Sequence, residues 1–250
     1  MDGNAMNNEE QKKNIMKQIS LLKMLGIKIV LVHGGGPDIE EELKNKNIKT
    51  KFENGLRITD EKTIDIVKMV LVDKTNSDIV KLLNMENCNA VGLSGLDNNF
   101  LECSKIDEKF GFVGKIENID KKLILKLLEE DFVPVISSIG GDKAGNVYNI
   151  NADTVASEIA IKLKAKKIIF LTNTDGVLDN NKKVISLIEN KMIDKLIKDE
   201  TITGGMIPKV KACKKCLDNG VERTHILNGT KNNTIIYELL SDNGIGTMLV

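Results

Sequence analysis

Short apolar runs alternate with helical patterns along the chain, and this alternation limits the fold more than any other feature. The runs Ile27–Val32, Phe132–Ser138 and Lys167–Thr172 have strand length and are rich in apolar residues, as expected for strands buried inside a sheet. Helical spacing of apolar residues separates them. The alternation predicts an α/β protein with an open, mainly parallel sheet sandwiched by helices and decorated by hairpins.

Several local signals complete the predicted order of elements. Apolar residues at helical spacing predict an amphipathic helix over Glu9–Leu25. Asn54-Gly55 predicts a hairpin turn, and Thr59 is the expected cap of a long helix that starts at Asp60. The other predicted elements are strands at Ala90–Leu93, Thr224–Leu227 and Thr247–Val250, antiparallel hairpins between Phe100 and Ile116, and helices at Leu123–Glu129, Ile188–Ile197 and Lys209–Leu217.

Composition excludes several classes of function. The 250 residues include 36 Lys and Arg and 36 Asp and Glu, so no net charge attracts nucleic acid or an anionic membrane. Aromatic residues make up 3% with no Trp, which argues against stacking of bases. No apolar run approaches the roughly 20 residues of a membrane span, and Met1–Lys13 is polar. We expect a soluble, cytoplasmic protein that binds no nucleic acid and no membrane.

The cysteines do not predict a metal centre. Cys88, Cys103, Cys213 and Cys216 are too few for a disulfide scaffold, and reduced thiols are expected. The spacing of Cys213 and Cys216 places them one turn apart on a helix. The chain holds 2 histidines and no second cysteine pair, so we predict no metal site built from these residues.

A triple glycine follows the first predicted strand. Gly34-Gly35-Gly36 lies between that strand and Pro37, which is typical of a first helical position. Glycines admit a ligand close to the backbone, and N–H groups at the start of a helix favour anions. The chain contains neither a Walker A sequence nor a G-x-G-x-x-G fingerprint. The turn therefore predicts an anion site of a different kind, with a plain tight turn as the alternative.

Four other segments carry groups suited to charged ligands, and each alone also has a structural explanation. Arg57 offers a planar fork for a carboxylate, although a lone Arg is usually a surface residue. Asn151 is the expected cap of the next helix, and Asp153 complements its dipole or orients cations around a phosphate. Thr172–Val177 follows a buried strand, where nucleotides often bind. Lys209, after Gly204-Gly205, is either a phosphate-binding lysine or a solvated one.

In this order and spacing the motifs resemble those of the N-acetylglutamate kinases, within the amino acid kinase family, over nearly the whole chain. The segments Asn54-Gly55-Leu56-Arg57 and Asn149-Ile150-Asn151-Ala152-Asp153 distinguish this kinase from relatives that act on UMP, aspartate or glutamate. The other matching segments are Gly3-Asn4-Ala5-Met6, Val32-His33-Gly34-Gly35-Gly36-Pro37, Gly204-Gly205-Met206-Ile207-Pro208-Lys209 and Gly244-Ile245-Gly246-Thr247-Met248.

The resemblance implies a role for each matching residue. Gly35 and Gly36 would offer backbone N–H groups to the reacting carboxylate and the phosphoryl group, and Arg57 and Asn149 would hold the α-carboxylate side of the substrate. Lys209 would stabilise charge in the transition state, and Asp153 would organise the lysines. The residues expected to line the ATP site are Asn173, Thr174, Asp175, Gly176, Leu178, Gly205, Met206 and Lys209.

The resemblance also implies the reaction and the partners. ATP, accompanied by Mg²⁺, would phosphorylate the γ-carboxylate of N-acetyl-L-glutamate in arginine biosynthesis, with no tightly bound cofactor and no dedicated metal cage. A homodimer is expected. The implied organisation is a single amino acid kinase domain, with residues 1–150 as the amino-acid-binding and oligomerisation lobe and residues 151–250 as the ATP-binding lobe.

The beginning of the chain departs from the family pattern. Met1-Asp2-Gly3 stands where the family has Tyr-Gly-Gly at the end of a first strand, so the preceding family lysine has no counterpart. We therefore expect impaired catalysis by the 250-residue chain. Asn232-Asn233 stands where arginine-regulated members usually have a histidine, which argues against feedback by arginine. Two alternatives stay open here: a non-catalytic ligand-binding or regulatory paralogue, and a kinase for an N-blocked aminoadipate.

Overall fold

The computed structural model describes residues 9–53, 55–241 and 244–250. The chain forms two compact units. Ile19–Val155 makes up the N-terminal unit, and Ala156–Val250 together with the described part of Met1–Gln18 makes up the C-terminal unit. The predicted motif Gly3-Asn4-Ala5-Met6, Asp2 and Asn54 lie outside the described residues. In the part of the chain that is described, no helix is both long and apolar enough to cross a membrane.

The elements follow the predicted alternation. The described α-helices are α1 (Glu9–Met24), α2 (Gly36–Asn45), α3 (Glu61–Lys68), α4 (Ser77–Met85), α5 (Lys122–Glu129), α6 (Ala152–Leu163), α7 (Ile193–Lys198), α8 (Met206–Asp218) and α9 (Thr234–Leu240). The described strands are β1 (Leu31–His33), β2 (Phe52–Glu53), β3 (Leu56–Arg57), β4 (Ala90–Leu93), β5 (Leu101–Lys105), β6 (Gly114–Ile119), β7 (Val133–Ser137), β8 (Ile139–Gly141), β9 (Val147–Asn149), β10 (Lys167–Thr172), β11 (Leu187–Ile188), β12 (Arg223–Asn228) and β13 (Thr247–Leu249).

A parallel sheet of order β1-β7-β4 lies at the centre of the N-terminal unit. In its register Leu31 pairs with Val135, and Ala90 pairs with Val133. Every residue of β7 is buried, which explains why its sequence is nearly continuously apolar. The strand bounds predicted for Ala90–Leu93 are confirmed, whereas the run Ile27–Val32 contributes only its end to β1.

One long helical stretch packs against this sheet. It begins with α3, continues as a π-helical segment over Met69–Asn76, and ends as α4. The predicted cap, Thr59, is wrong: the side chain of Asp60 accepts the hydrogen bond from the backbone N–H of Thr63 at 2.8 Å. Thr59 is instead drawn into backbone pairing, because its N–H donates to Phe110 at 3.0 Å. The buried apolar side chains here are Ile39, Leu43, Ile66, Val67, Val70, Leu71 and Ile139.

Antiparallel pairs decorate the N-terminal unit, as predicted. β2 and β3 pair antiparallel as the predicted hairpin requires, with Phe52 opposite Arg57 and a left-handed φ of 78° at Gly55. β5 and β6 form the hairpin predicted between Phe100 and Ile116, with a register shift at Glu102. These two strands belong to a sheet of order β6-β5-β8-β9, which the sequence analysis did not resolve into separate strands.

The C-terminal unit contains a sheet of order β10-β12-β13-β11. β10 is parallel to β12 and β11 is parallel to β13, while β12 and β13 run antiparallel. The bounds predicted for Lys167–Thr172 are confirmed. The predicted helix Ile188–Ile197 is partly wrong, because Ile188 belongs to β11 and α7 begins at Ile193. Together the two units confirm the predicted α/β class with a mainly parallel sheet and helices.

The buried side chains of His225 and Glu238 hold the backbone that leads into β13. Nδ1 of His225 lies 2.7 Å from Oε1 of Glu238, and both side chains are 3% exposed. The other oxygen, Oε2, accepts hydrogen bonds from the backbone N–H groups of Ile245 at 2.8 Å and Gly246 at 3.0 Å. Burial raises the pKa of Glu238, but these hydrogen bonds outweigh burial, so its pKa lies below the usual value. The ionised carboxylate therefore ties α9 to the strand β13.

Replacement of Glu238 is expected to change both stability and its dependence on pH. A folded-state pKa below the unfolded value contributes stability above pH of about 4.3, and this contribution is lost as the pH falls further. Glu238→Gln should lower the free energy of unfolding at pH 7 by about 1–3 kcal/mol, because the hydrogen bonds that the carboxylate accepts lose their charge assistance. The free energy of unfolding of this variant should also decline less steeply as the pH falls. Urea unfolding between pH 7 and pH 3.5 measures both, with exposed Glu222→Gln as control; identical pH slopes would contradict the assignment.

Candidate active site

The triple glycine forms the junction between β1 and α2. Gly35 is the N-cap of α2 and Pro37 lies in the first turn, and no side chain caps this helix end. A Cβ atom at Gly35 would lie 2.7 Å from Cδ2 of Leu71 and 3.4 Å from Oγ1 of Thr75. A Cβ atom at Gly36 would have no heavy atom within 4 Å. Packing thus requires glycine at position 35, while the backbone of Gly36 faces open space that an anion can enter.

Arg57 is buried at the end of β3 and carries a paired charge. Nη1 of Arg57 contacts Oε1 of Glu40 on α2, and Oε2 of Glu40 accepts a hydrogen bond from Thr50 at 3.0 Å. The guanidinium carbon lies 4.7 Å from the centre of the Phe52 ring. Nη2 lies 3.5 Å from the carbonyl oxygen of Gly36. Since a guanidinium has five N–H donors in a fixed fork, these contacts orient it while leaving donors for a carboxylate.

Asn149 is linked to Arg57 through Thr59. The side-chain N–H of Asn149 donates to Oγ1 of Thr59 at 3.3 Å, and that hydroxyl donates to the carbonyl of Arg57 at 2.9 Å. The backbone N–H of Asn149 donates to Phe112 at 2.9 Å. Within the N-terminal unit, Arg57 therefore reaches Gly36 through its side chain and is linked to Asn149 through its backbone and Thr59.

Asp153 lies in the first turn of α6, directly after the cap. Oδ1 of Asn151 accepts a hydrogen bond from the backbone N–H of Thr154 at 3.0 Å, which confirms Asn151 as the predicted cap. Asp153 is half-buried. An acidic residue at this place complements the helix dipole, and the role that the resemblance implies for Asp153 stays a prediction.

The predicted nucleotide loop, Asn173–Leu178, follows β10 in the C-terminal unit. Oδ1 of Asp175 accepts a hydrogen bond from Asn228 at 2.8 Å and pairs with Lys231 at 2.7 Å. Lys231 and Asn228 lower the pKa of Asp175. The N–H of Val177 donates to Oγ1 of Thr247 at 2.8 Å, so β13 holds the far end of the loop. Asn173 is exposed and Leu178 is half-buried, which leaves part of the loop accessible to a ligand.

The second predicted nucleotide segment is the start of α8. Gly204 has a left-handed φ of 53°, and Gly205 is the N-cap of the helix. A Cβ atom at either glycine would meet no heavy atom within 4 Å, and the first turn of α8 carries no acidic residue. Lys209 is 7% exposed rather than solvated. An open backbone at a helix N-terminus, followed by a buried lysine, suits a phosphate group.

Two residues that contact Arg57 were not predicted as site residues. They are Glu40, which lies one helical turn after Gly36, and Thr59, which lies two residues after Arg57. Cys213 and Cys216 are fully buried neighbours on α8, as the helical interpretation predicts. Within the described residues, no three His, Cys, Asp or Glu side chains are grouped to hold a metal ion.

Comparison with known proteins decides the family. The sequence profile of the amino acid kinase family matches residues 1–228. The chain belongs to the amino acid kinase family. It is 46% identical over 248 residues to an acetylglutamate kinase of Campylobacter hominis, an alignment that covers 99% of this chain and 88% of that protein.

Solved structures share the fold of this chain. The crystal structure of smu.665 from Streptococcus mutans superposes with a TM-score of 0.82 at 30% identity, covering 94% of this chain and 91% of that one. Carbamate kinase from Giardia lamblia superposes with a TM-score of 0.68 at 17% identity, covering 100% of this chain and 96% of that one. The second likeness shows the fold alone, and that fold is of the α/β class that the sequence predicts.

Alanine substitutions should distinguish the glycine that packing requires, Gly35, from the glycine whose backbone is accessible, Gly36. Gly35→Ala is expected to lower the free energy of unfolding by about 1–3 kcal/mol, because its Cβ overlaps Leu71. Gly36→Ala, which meets open space on a helix, should leave stability unchanged or raise it by up to about 1 kcal/mol. Urea unfolding of both variants is the measurement. Equal losses of stability would contradict the geometry of the turn.

Proposed function

We propose that this protein transfers the γ-phosphoryl group of ATP to the γ-carboxylate of N-acetyl-L-glutamate, which forms N-acetylglutamyl phosphate and ADP for arginine biosynthesis. The observation that carries the proposal is the buried Arg57 fork, which reaches the carbonyl of Gly36, in a chain 46% identical to a protein named acetylglutamate kinase. Asn149 is linked to the backbone of Arg57 through Thr59. A regulatory paralogue and an aminoadipate kinase are not favoured, since that similarity extends over 99% of the chain.

We assign binding of the amino acid substrate to the N-terminal unit. Arg57 would bind the α-carboxylate with the donors that Glu40 leaves available, and Asn149 would contact the same side of the substrate. The N–H groups of Gly35 and Gly36 would stabilise the reacting γ-carboxylate and the phosphoryl group. Open space at Gly36 supports this assignment, because a bound anion needs close access to the backbone.

We assign binding of the nucleotide to the C-terminal unit. Asn173, Thr174, Asp175, Gly176 and Leu178 would line the ATP site. Gly205, Met206 and Lys209, at the start of α8, would complete it, and an open helix N-terminus without an acid supports their contact with phosphates. Mg²⁺ would enter with the triphosphate oxygens, which are the hard oxygen ligands that it prefers.

The chemistry is an in-line substitution at phosphorus. An oxygen of the γ-carboxylate forms a bond to the γ-phosphorus of ATP, and the bond from that phosphorus to the bridging oxygen of ADP breaks. No covalent enzyme intermediate is needed, so catalysis is positioning and neutralisation of charge. Mg²⁺ neutralises phosphate charge when bound. Lys209 would stabilise the charge that develops in the transition state, and Asp153 would organise the cations. A homodimer in the cytoplasm remains our prediction.

Loss of the Arg57 fork should weaken binding of the amino acid. Arg57→Ala removes a charge-assisted pair with a carboxylate, which typically contributes about 1.5–3 kcal/mol. Isothermal titration calorimetry with N-acetyl-L-glutamate measures the loss. Exposed Arg223→Ala is the matched control, and Arg57→Lys, which keeps the charge without the fork, should fall between the two. Unchanged affinity in Arg57→Ala would remove Arg57 from the site.

Loss of Lys209 should act on the transition state. Lys209→Ala is expected to lower kcat by about 10²–10³, with smaller changes in either KM, because a preorganised cation is removed where charge develops. Hydroxamate trapping of the acyl phosphate measures the rate. Lys211→Ala changes an exposed lysine on the same helix and serves as the control. An effect confined to the KM for ATP would mean that Lys209 is only a ground-state contact.

A further inference from the structure

The π-helical segment places two successive side chains beside the triple glycine. Within Met69–Asn76, both Thr75 and Asn76 are buried. Oγ1 of Thr75 donates to Oδ2 of Asp38, in the first turn of α2, at 3.1 Å. π-helical turns are rare and often occur at functional sites. Here the segment brings a hydroxyl and an amide to the junction between β1 and α2.

The orientation of the Asn76 amide follows from its neighbours. Nδ2 of Asn76 lies 2.9 Å from the carbonyl oxygen of Val135 and 2.9 Å from Nε2 of His33. A carbonyl oxygen only accepts hydrogen bonds, so the atom that faces Val135 must be the amide nitrogen. On the other side, Oδ1 lies 2.1 Å from where a Cβ atom of Gly92 would be, so the amide fills the space that this glycine leaves. Nδ2 also lies 3.5 Å from the carbonyl oxygen of Leu93. The two shorter contacts, to Val135 and His33, take its two hydrogens.

The amide in turn dictates where His33 carries its proton. Because Asn76 donates to Nε2, that atom is the acceptor, and a neutral imidazole then carries its hydrogen on Nδ1. Nδ1 lies 3.0 Å from the carbonyl oxygen of Gly34, to which it donates. His33 is completely buried, and burial lowers its pKa to about 4 despite the hydrogen bond to Gly34. The ring is therefore neutral at pH 7, in the tautomer with hydrogen on Nδ1.

This hydrogen bond determines the direction of a neighbouring N–H group. The carbonyl of Gly34 and the N–H of Gly35 belong to the same peptide unit. In a planar trans peptide the C=O and N–H bonds point in opposite directions. Once His33 holds the Gly34 carbonyl, the N–H of Gly35 must point away from His33. The next peptide is held separately, because the carbonyl of Gly35 accepts from the N–H of Ile39 at 2.9 Å.

We propose that His33 and Asn76 are positioning residues, which aim the N–H of Gly35 at the anion bound by the glycine turn, and that the π-helical segment supplies Asn76 for this purpose. The inference rests on the proposed kinase function, in which that N–H stabilises the reacting groups. A preorganised N–H costs no reorganisation during the reaction, whereas a peptide that can rotate presents its carbonyl to the anion in part of the population.

Nuclear magnetic resonance tests the orientation itself. The chain has 2 histidines, so imidazole ¹⁵N signals of His33 are easily assigned against those of His225. The wild-type protein should show the neutral tautomer protonated at Nδ1, and Asn76→Leu should change that pattern and move the Gly35 amide signal. A His33 protonated at Nε2, or a Gly35 amide unmoved by His33→Leu, would overturn the proposal. These readouts need no turnover.

Kinetics tests the consequence. His33→Leu and Asn76→Leu should each lower kcat at least tenfold, with changes below about threefold in both KM values, because a misaimed donor is a transition-state loss. His33→Asn keeps a donor near the position of Nδ1 and should restore most of the rate. Asn84→Leu is the structural control: on α4, its amide bonds the backbone of Ala90 at 2.6 and 3.1 Å, and its loss should lower stability but not kcat.

The outcomes separate this inference from the proposed function. Full kcat in folded His33→Leu, or an equal loss of kcat in Asn84→Leu, would overturn the positioning role. A wild-type protein that binds neither ATP nor N-acetyl-L-glutamate would refute the proposed function. In that case the shift of the Gly35 amide in His33→Leu still decides the orientation, as support if the amide moves and as refutation if it does not.

Discussion

The parallel pairing of β7 with β1 on one side and β4 on the other is the constraint on which the N-terminal unit depends. Its register sets His33 beside Ser137, so the glycine turn leaves the sheet at the carboxyl end of the strands, where ligands bind in sheets of this kind. The same register presents the Val135 carbonyl to Asn76. A slip of one residue would turn every side chain of β1 to the opposite face.

Buried polar groups are costly unless each finds a partner, and here each partnership also holds a segment of backbone. The guanidinium of Arg57 is paired with Glu40 and reaches toward the Gly36 carbonyl. The ring of His33 holds the turn, and the carboxylate of Glu238 holds the backbone before β13. Partial satisfaction would cost more than an apolar side chain at the same place. In these regions the hydrogen bonds that compensate for burial of a polar side chain therefore also fix the position of the backbone.

Much of the fold follows from local pattern, and the failures have identifiable causes. The strands β4 and β10 were predicted to the residue, because each is a short apolar run with the length of a strand. The cap of α3 was assigned to Thr59 instead of Asp60, since the pairing that removes Thr59 involves a distant hairpin. The seven residues of α9 were missed, and the π-helical turn has no sequence signature that separates it from the helices around it.

The site shows the same division between what a motif reveals and what only tertiary structure can reveal. In the sequence Gly34-Gly35-Gly36 is one signal for an anion site, yet the three glycines answer different constraints. Gly34 offers a carbonyl to His33, a Cβ atom at Gly35 would meet Leu71 and Thr75, and a Cβ atom at Gly36 would enter open space. The residues that crowd Gly35 lie more than 35 positions further along the chain. No spacing rule within the motif could distinguish packing from binding, because the distinction resides in the helix packed against it.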